Sequence, residues 1–104
     1  MLRLPEVAEL RVQPQDLLAE QSVLGSIFIS PDKLIAVREF ISSDDFYKYA
    51  HKIIFRAMIT LSDRNDAIDA TTVRAILDNQ GDLQNIGGLS YIVELLSLIH
   101  ISEP

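Results

Sequence analysis

In the segment SSDDFYKYAHKIIFRAMITLSDRN, the residues Tyr47, His51, Ile54, Phe55, Met58 and Leu61 recur mainly at steps of three and four. That spacing places them on one face of an α-helix, the longest the chain can form, and makes that face a buried stripe. Ser42 or Ser43 is placed to cap it, Asp44 and Asp45 sit in or just before its first turn, and the polar run SDRNDAID ends it. A helix with so apolar a face is stable in water only when other elements cover it.

The flanking segments predict the helices that do so. In QDLLAEQSVLGSIFIS, Leu17, Leu18, Leu24, Ile27 and Phe28 fall near helical spacing. Gly25 lies inside this helix, where the absence of a Cβ admits a close neighbour. SPDKLIAVREFI opens with Ser30 as cap, Pro31 in the first turn and Asp32 at the positive helix end; Leu34, Val37, Arg38 and Ile41 then share a face, with Arg38 at its margin. In DATTVRAILDNQG, Asp69 caps, Val73, Ile76 and Leu77 face inward, and Gly81 stands where a left-handed residue ends a helix. GLSYIVELLSLI is the last helix, with Leu89, Ile92, Val93, Leu96 and Ile99 on one face. No window alternates apolar and polar residues over a strand's length, and no Asn-Gly hairpin turn occurs. The expected fold is all-α: a compact single-domain bundle of five main helices, or six with a short turn at DLQNI, whose core includes Leu17, Leu24, Phe28, Phe46, Phe55, Leu77, Tyr91 and Leu96. Residues 1–14, aperiodic and carrying Pro5 and Pro14, read as an N-terminal arm; 15–99 form the helical domain; 100–104 are a tail, read as a cloning or sequencing remnant, so His100 and Glu103 are given no function.

Composition narrows the function classes. The 104 residues suffice for one domain. There is no cysteine, which excludes a disulfide scaffold and thiolate metal sites and fits a reducing cytoplasm. No apolar run approaches a membrane span and no secretory signal opens the chain. Nine Lys and Arg against fifteen Asp and Glu leave a net charge of −6, so direct DNA binding is not expected. The exception to weigh is the row Lys48, Lys52 and Arg56, spaced by four on one face of the long helix: a solvated face, or a partner face for phosphates or an acidic protein.

The stretch DNQGDLQNIGGLSY holds three of the four glycines. A P-loop needs a lysine directly after its last glycine and a strand before its first, and neither is present. Gly81, Gly87 and Gly88 therefore read as punctuation between helices. His51 lies among aromatics on the inward stripe and reads as a packed or hydrogen-bonding histidine; a small enzyme would need it in a cleft beside a carboxylate. His100 has no partner at ligand spacing, so no metal site is expected.

Several stretches in order, AEQSVLGSIFISPDKL, DDFYKYAHKIIFRAMITL and IDATTVRAILDNQGDLQNIGGLSYIVEL, resemble the N-terminal domain of bacterial replicative DNA helicases of the DnaB type. The resemblance runs over about residues 14–98. It rests on Glu20-Gln21 before Val23-Leu24-Gly25, on Asp45-Phe46-Tyr47 with His51 four later, on Ile54-Phe55, and on Ile86-Gly87-Gly88 with Tyr91. It implies an all-helical domain in which Gln21, Gly25, Asp45, Phe46, Tyr47, His51, Phe55, Gly87, Gly88 and Tyr91 are structural. It implies a non-catalytic collar, a trimer of dimers above a ring of motors, that supports hexamer assembly and primase coupling. ATP and magnesium then belong to the motor, with no cofactor in this chain. Much of the dimer and primase surface in that family lies on a helical hairpin after the globular part, beyond this chain, so self-association is the first expectation here. The other reading is a free-standing helical DNA-binding regulator using Lys48, Lys52 and Arg56, against which Asp44 and Asp45 stand at the start of the same helix.

Overall fold

The computed structural model describes residues 17–101. The readings made for the arm at 1–14, for the side chains of Ile99 and His100 and for the end of the tail lie outside the described residues. Among the described residues five α-helices follow one another: α1 (Leu17–Ile29), α2 (Lys33–Val37), α3 (Tyr49–Asp63), α4 (Ala70–Gln80) and α5 (Gly88–Ile101). Short 3-10 turns occupy Ser43–Asp45 and Gln84–Ile86, the second at the DLQNI segment, and there is no strand among the described residues.

The centre of the bundle is α3. It packs against α1, α2 and α4 and against both 3-10 turns, while α5 closes the fold by lying on α1 and α4. Its buried face carries His51, Ile54, Phe55, Met58 and Leu61, as the spacing predicts. Phe55, Leu24, Ile27, Leu34, Ile54, Leu77, Ile92 and Leu95 form the sealed middle of the core. Burying each such side chain contributes about 1.5–3 kcal/mol relative to exposure, and no single helix of this length could retain its shape without it.

Helix α4 follows its predicted ends closely. Asp69 accepts from the Thr72 amide at 2.9 Å, and the Thr72 hydroxyl accepts from the Asp69 amide at 3.0 Å, a reciprocal cap. Gly81 takes φ +80° and the Asp82 amide returns to the Leu77 carbonyl at 2.8 Å, so the left-handed residue stands where it is needed.

Elsewhere tertiary contacts corrected the reading. The long helix begins at Tyr49 and not at Ser42 or Ser43, because Phe46 and Lys48 have extended dihedrals and the chain bends at Tyr47 and Lys48. Phe46 turns into the core against Phe55, with ring centroids 5.0 Å apart. Tyr47, placed on the buried stripe by spacing, lies before the first turn of the helix, outside its periodicity, and stands 51% exposed. Helix α2 is shorter than expected: Ser30 and Pro31 contribute a turn through their carbonyls, which accept from Lys33 and Leu34, and the helix proper starts at Lys33. Arg38 is half-buried at the margin, as read, and pairs with Asp63 at 2.9 Å. On α5 the inward arc is Ile92 and Leu95, with Tyr91 and Leu96 half-buried beside it; Leu89 and Val93 are exposed. Leu18 is exposed as well, and Leu17 only half-buried.

Candidate functional site

The chemistry-bearing side chains of the interior converge where α1, α3 and α5 meet. Glu20 of α1 is the acidic residue on an inward line with Leu24 and Ile27, and its carboxylate is buried. A buried carboxylate is tolerated only when fully hydrogen-bonded. Here Glu20 Oε2 accepts from the Tyr47 amide at 2.6 Å, and Oε1 lies 3.4 Å from the Lys48 amide and 2.6 Å from His51 Nδ1. The anion thus sits against the start of α3, where unpaired amides leave partial positive charge. It also explains why that helix starts late: the amides of Tyr47 and Lys48 are held outside the helix by a side chain from α1.

His51 extends the chain of contacts to α5. Its ring is 0% exposed, and Nε2 lies 2.7 Å from the Tyr91 hydroxyl. A carboxylate can only accept, so Nδ1 carries a proton; in the neutral ring Nε2 then accepts from the Tyr91 hydroxyl. Burial holds the His51 pKa below its ordinary value of 6.5, opposed by the hydrogen bond and negative charge of Glu20, while the nearby Lys48 charge lowers it further. Burial pushes the Tyr91 phenol above its ordinary value, opposed by a hydrogen bond from Gln21, with the Glu94 and Glu20 carboxylates adding to the rise. The rings pack as well as bond: Tyr91 stacks on His51 at 5.9 Å, Phe46 meets His51 edge-on at 6.2 Å, and the Lys48 ammonium lies 5.5 Å from the Tyr91 ring centre.

Both imidazole nitrogens are therefore committed to protein partners, inside a sealed contact. The arrangement is a brace across three helices. A histidine beside an acid in an open cleft, the geometry that acid–base chemistry would require, is not what the structure places here.

The other predicted residues fall around this brace. Gln21 is half-buried beside Tyr91, and its side-chain oxygen is buried without a hydrogen-bond partner. Gly25 is buried within α1, and Phe46 and Phe55 are core. Gly87 and Gly88 have φ of +103° and +74°, and a Cβ on Gly87 would stand 3.3 Å from that of Tyr91. These glycines make the turn that delivers Tyr91 to His51, and among the described residues no three His, Cys, Asp or Glu side chains are grouped to hold a metal. Asp45 accepts from the Ser42 amide at 2.9 Å, bracing the 3-10 turn.

The row Lys48, Lys52 and Arg56 is drawn into the same end of the molecule. Lys48 lies over Tyr91, Lys52 donates to the Asp44 carbonyl at 3.2 Å, and Arg56 donates to the Ser43 hydroxyl at 3.0 Å with Asp44 at 3.8 Å. Lys52 and Arg56 thus bind the Ser43–Asp45 turn. Glu20 is the residue the spacing argument did not single out. Its signal was available: an acid on an inward helical line has to be paired.

Comparison with known proteins follows the same residues. The family model described as "DnaB-like helicase N terminal domain" matches residues 12–103. The chain is 42% identical over 89 residues to the replicative DNA helicase DnaB of Geobacillus stearothermophilus, covering 86% of this chain and 20% of that protein. It is 45% identical over 89 residues to the replicative DNA helicase DnaB of Mycobacterium leprae, covering 86% of this chain and 15% of that protein. It is similar to the crystal structure of the N-terminal domain of DnaB helicase from Mycobacterium tuberculosis, with a TM-score of 0.77, 45% identity, and coverage of 81% of this chain and 58% of that one. The chain spans a fifth or less of the length of these curated relatives.

Proposed function

The chain belongs to the DnaB-like helicase N-terminal domain family, and from that premise we propose that it is the non-catalytic assembly domain of a replicative DNA helicase, working in the cytoplasm. It supports the dimer and hexamer of the collar and couples the helicase to primase, while nucleotide and magnesium chemistry belong to the motor portion of such a helicase. The observation that carries the assembly reading is the aliphatic surface on the two helices that close the bundle. Leu89 and Val93, one turn apart on α5, are 43% and 48% exposed, and Leu18 on α1 is 70% exposed. Helices α1 and α5 pack on each other. Aliphatic side chains left in water beside a completed core are what a self-association face requires. The polar groups of the interior support the same reading, because the brace spends them on holding helices in place.

Light scattering on size-exclusion fractions, over a concentration series, tests this. The mass of the wild-type chain is expected to rise with concentration, and a variant with Leu89→Glu and Val93→Glu to remain monomeric with unchanged helical content. A wild-type chain that stays strictly monomeric at the highest concentration reached would count against the assembly role. Calorimetric titration with primase tests the coupling role separately, and absence of heat would remove it while leaving the assembly role standing.

A further inference from the structure

Away from both the brace and the α5 surface, the start of α2 and the loop after α3 enclose an open dish of about 320 Å³. Pro31, Asp32 and Ile35 form one wall, and Asp66, Ala67 and Ile68 contribute to the other. We propose that this dish receives an arginine side chain from a basic segment of a partner protein.

The charge is one-sided. The lining holds two carboxylates and no cation: Lys33 and Arg64, next to the dish in sequence, do not line it. Asp44, Asp63 and Asp78 each face an arginine. Asp32 and Asp66 belong to no ion pair among the described residues. Pro31, Ile35 and Ala67 line the same dish, apolar and exposed, with Ile35 reaching 65% although its neighbour Leu34 is fully buried. An aliphatic wall beside two carboxylates without a described cationic partner suits a side chain with an apolar stem and a cationic head. Arginine fits better than lysine, since a planar guanidinium can donate to two carboxylates at once. A nucleic-acid strand would bring phosphates to a negative rim and be repelled.

The dish is also held in shape without an occupant. Asn65, in the left-handed region at φ +62°, ends α3, and the Asp66 amide returns to the Leu61 carbonyl at 2.9 Å. Ile68 is buried, and the Leu34 amide donates to the Pro31 carbonyl at 3.0 Å, so both walls are anchored to the core. A preformed site loses less ordering entropy on binding than a loose one.

The test is an amide chemical-shift titration of the full chain at low salt with a capped seven-residue peptide carrying two arginines and two leucines. Its citrulline counterpart, equal in shape and neutral, serves as control. Shifts are expected at residues 31–35 and 62–68, with affinity falling about fivefold for Asp32→Asn, about fivefold for Asp66→Asn, and at least as much for the citrulline peptide. Equal binding of the citrulline peptide, or of a glutamate version, would overturn the proposal. So would a shift map centred on α5 or on the Lys48–Arg56 row. Because the citrulline arm uses the unaltered chain, the result does not depend on how the aspartate variants fold.

Discussion

Two polar clusters stand within a few residues of each other at the start of α3, built from the same chemical groups, and burial makes them unequal. In the brace, one carboxylate, Glu20, serves two backbone amides and a histidine that is wholly enclosed. In the Ser43–Asp45 turn, Lys52 and Arg56 meet a carbonyl, a hydroxyl and the carboxylate of Asp44, which is 85% exposed. Water can replace any partner lost from the second cluster. In the first, a donor that loses its acceptor stays buried and unpaired, so the cost of breaking it exceeds the net gain from having made it. Length of a contact list is therefore a poor guide to what holds this fold together.

The comparison can be broken most directly at Glu20. Glu20→Ala strands the Tyr47 and Lys48 amides and the His51 ring proton, and should cost about 3 kcal/mol or more, read as a lower urea midpoint. A loss below about 1 kcal/mol would show that water already reaches the brace as it reaches the turn. Next in size is Gly87→Ala, which forces a side chain into φ +103° with its Cβ 3.3 Å from that of Tyr91. The expected loss is about 1–3 kcal/mol, with the Tyr91 contact to His51 loosened, visible as altered tyrosine fluorescence in the folded state.

Acid sharpens the same contrast. The folded His51 pKa is lowered, so below about pH 6.5 the unfolded chain binds a proton that the folded chain resists. The stabilisation associated with the neutral ring is complete above the unfolded value and is lost as pH falls through the folded one. Stability should decline on acidification with a slope of at most about 1.4 kcal/mol per pH unit from this one group. A His51→Gln variant, measured over the same range, should lack that component; an unchanged slope would place the acid sensitivity elsewhere. The smallest effect is expected on the surface side, where Arg56→Ala should change stability by no more than about 1 kcal/mol and less still in high salt.

How far the chain could be read differs by element, for physical reasons. Helix α4 was legible to the residue because its cap, its inward positions and its terminal glycine are all local: Asp69 and Thr72 bond each other, and Gly81 needs only its own backbone freedom. The glycines at 87 and 88 were legible as turn residues for the same reason. The start of α3 was not. Ser42, Ser43, Asp44 and Asp45 are good capping residues, yet they close only a 3-10 turn, because Glu20, 27 positions before Tyr47, claims the backbone that would have continued the helix. Apolar spacing also placed Tyr47, Leu89 and Val93 inward, since periodicity marks a face without saying how wide a strip of it a neighbour covers.

The amino-acid order alone determined that this chain makes helices, where most of them end, and which stripe of α3 turns inward. Each of those depends on neighbours three or four positions away, within reach of local hydrogen bonds and side-chain contact. Only the tertiary structure decided that Glu20, His51 and Tyr91, on three different helices, share one hydrogen-bonded line, and which aliphatic residues remain in water. Those outcomes depend on how the helices are set against one another, a matter of packing between distant segments that no local pattern carries.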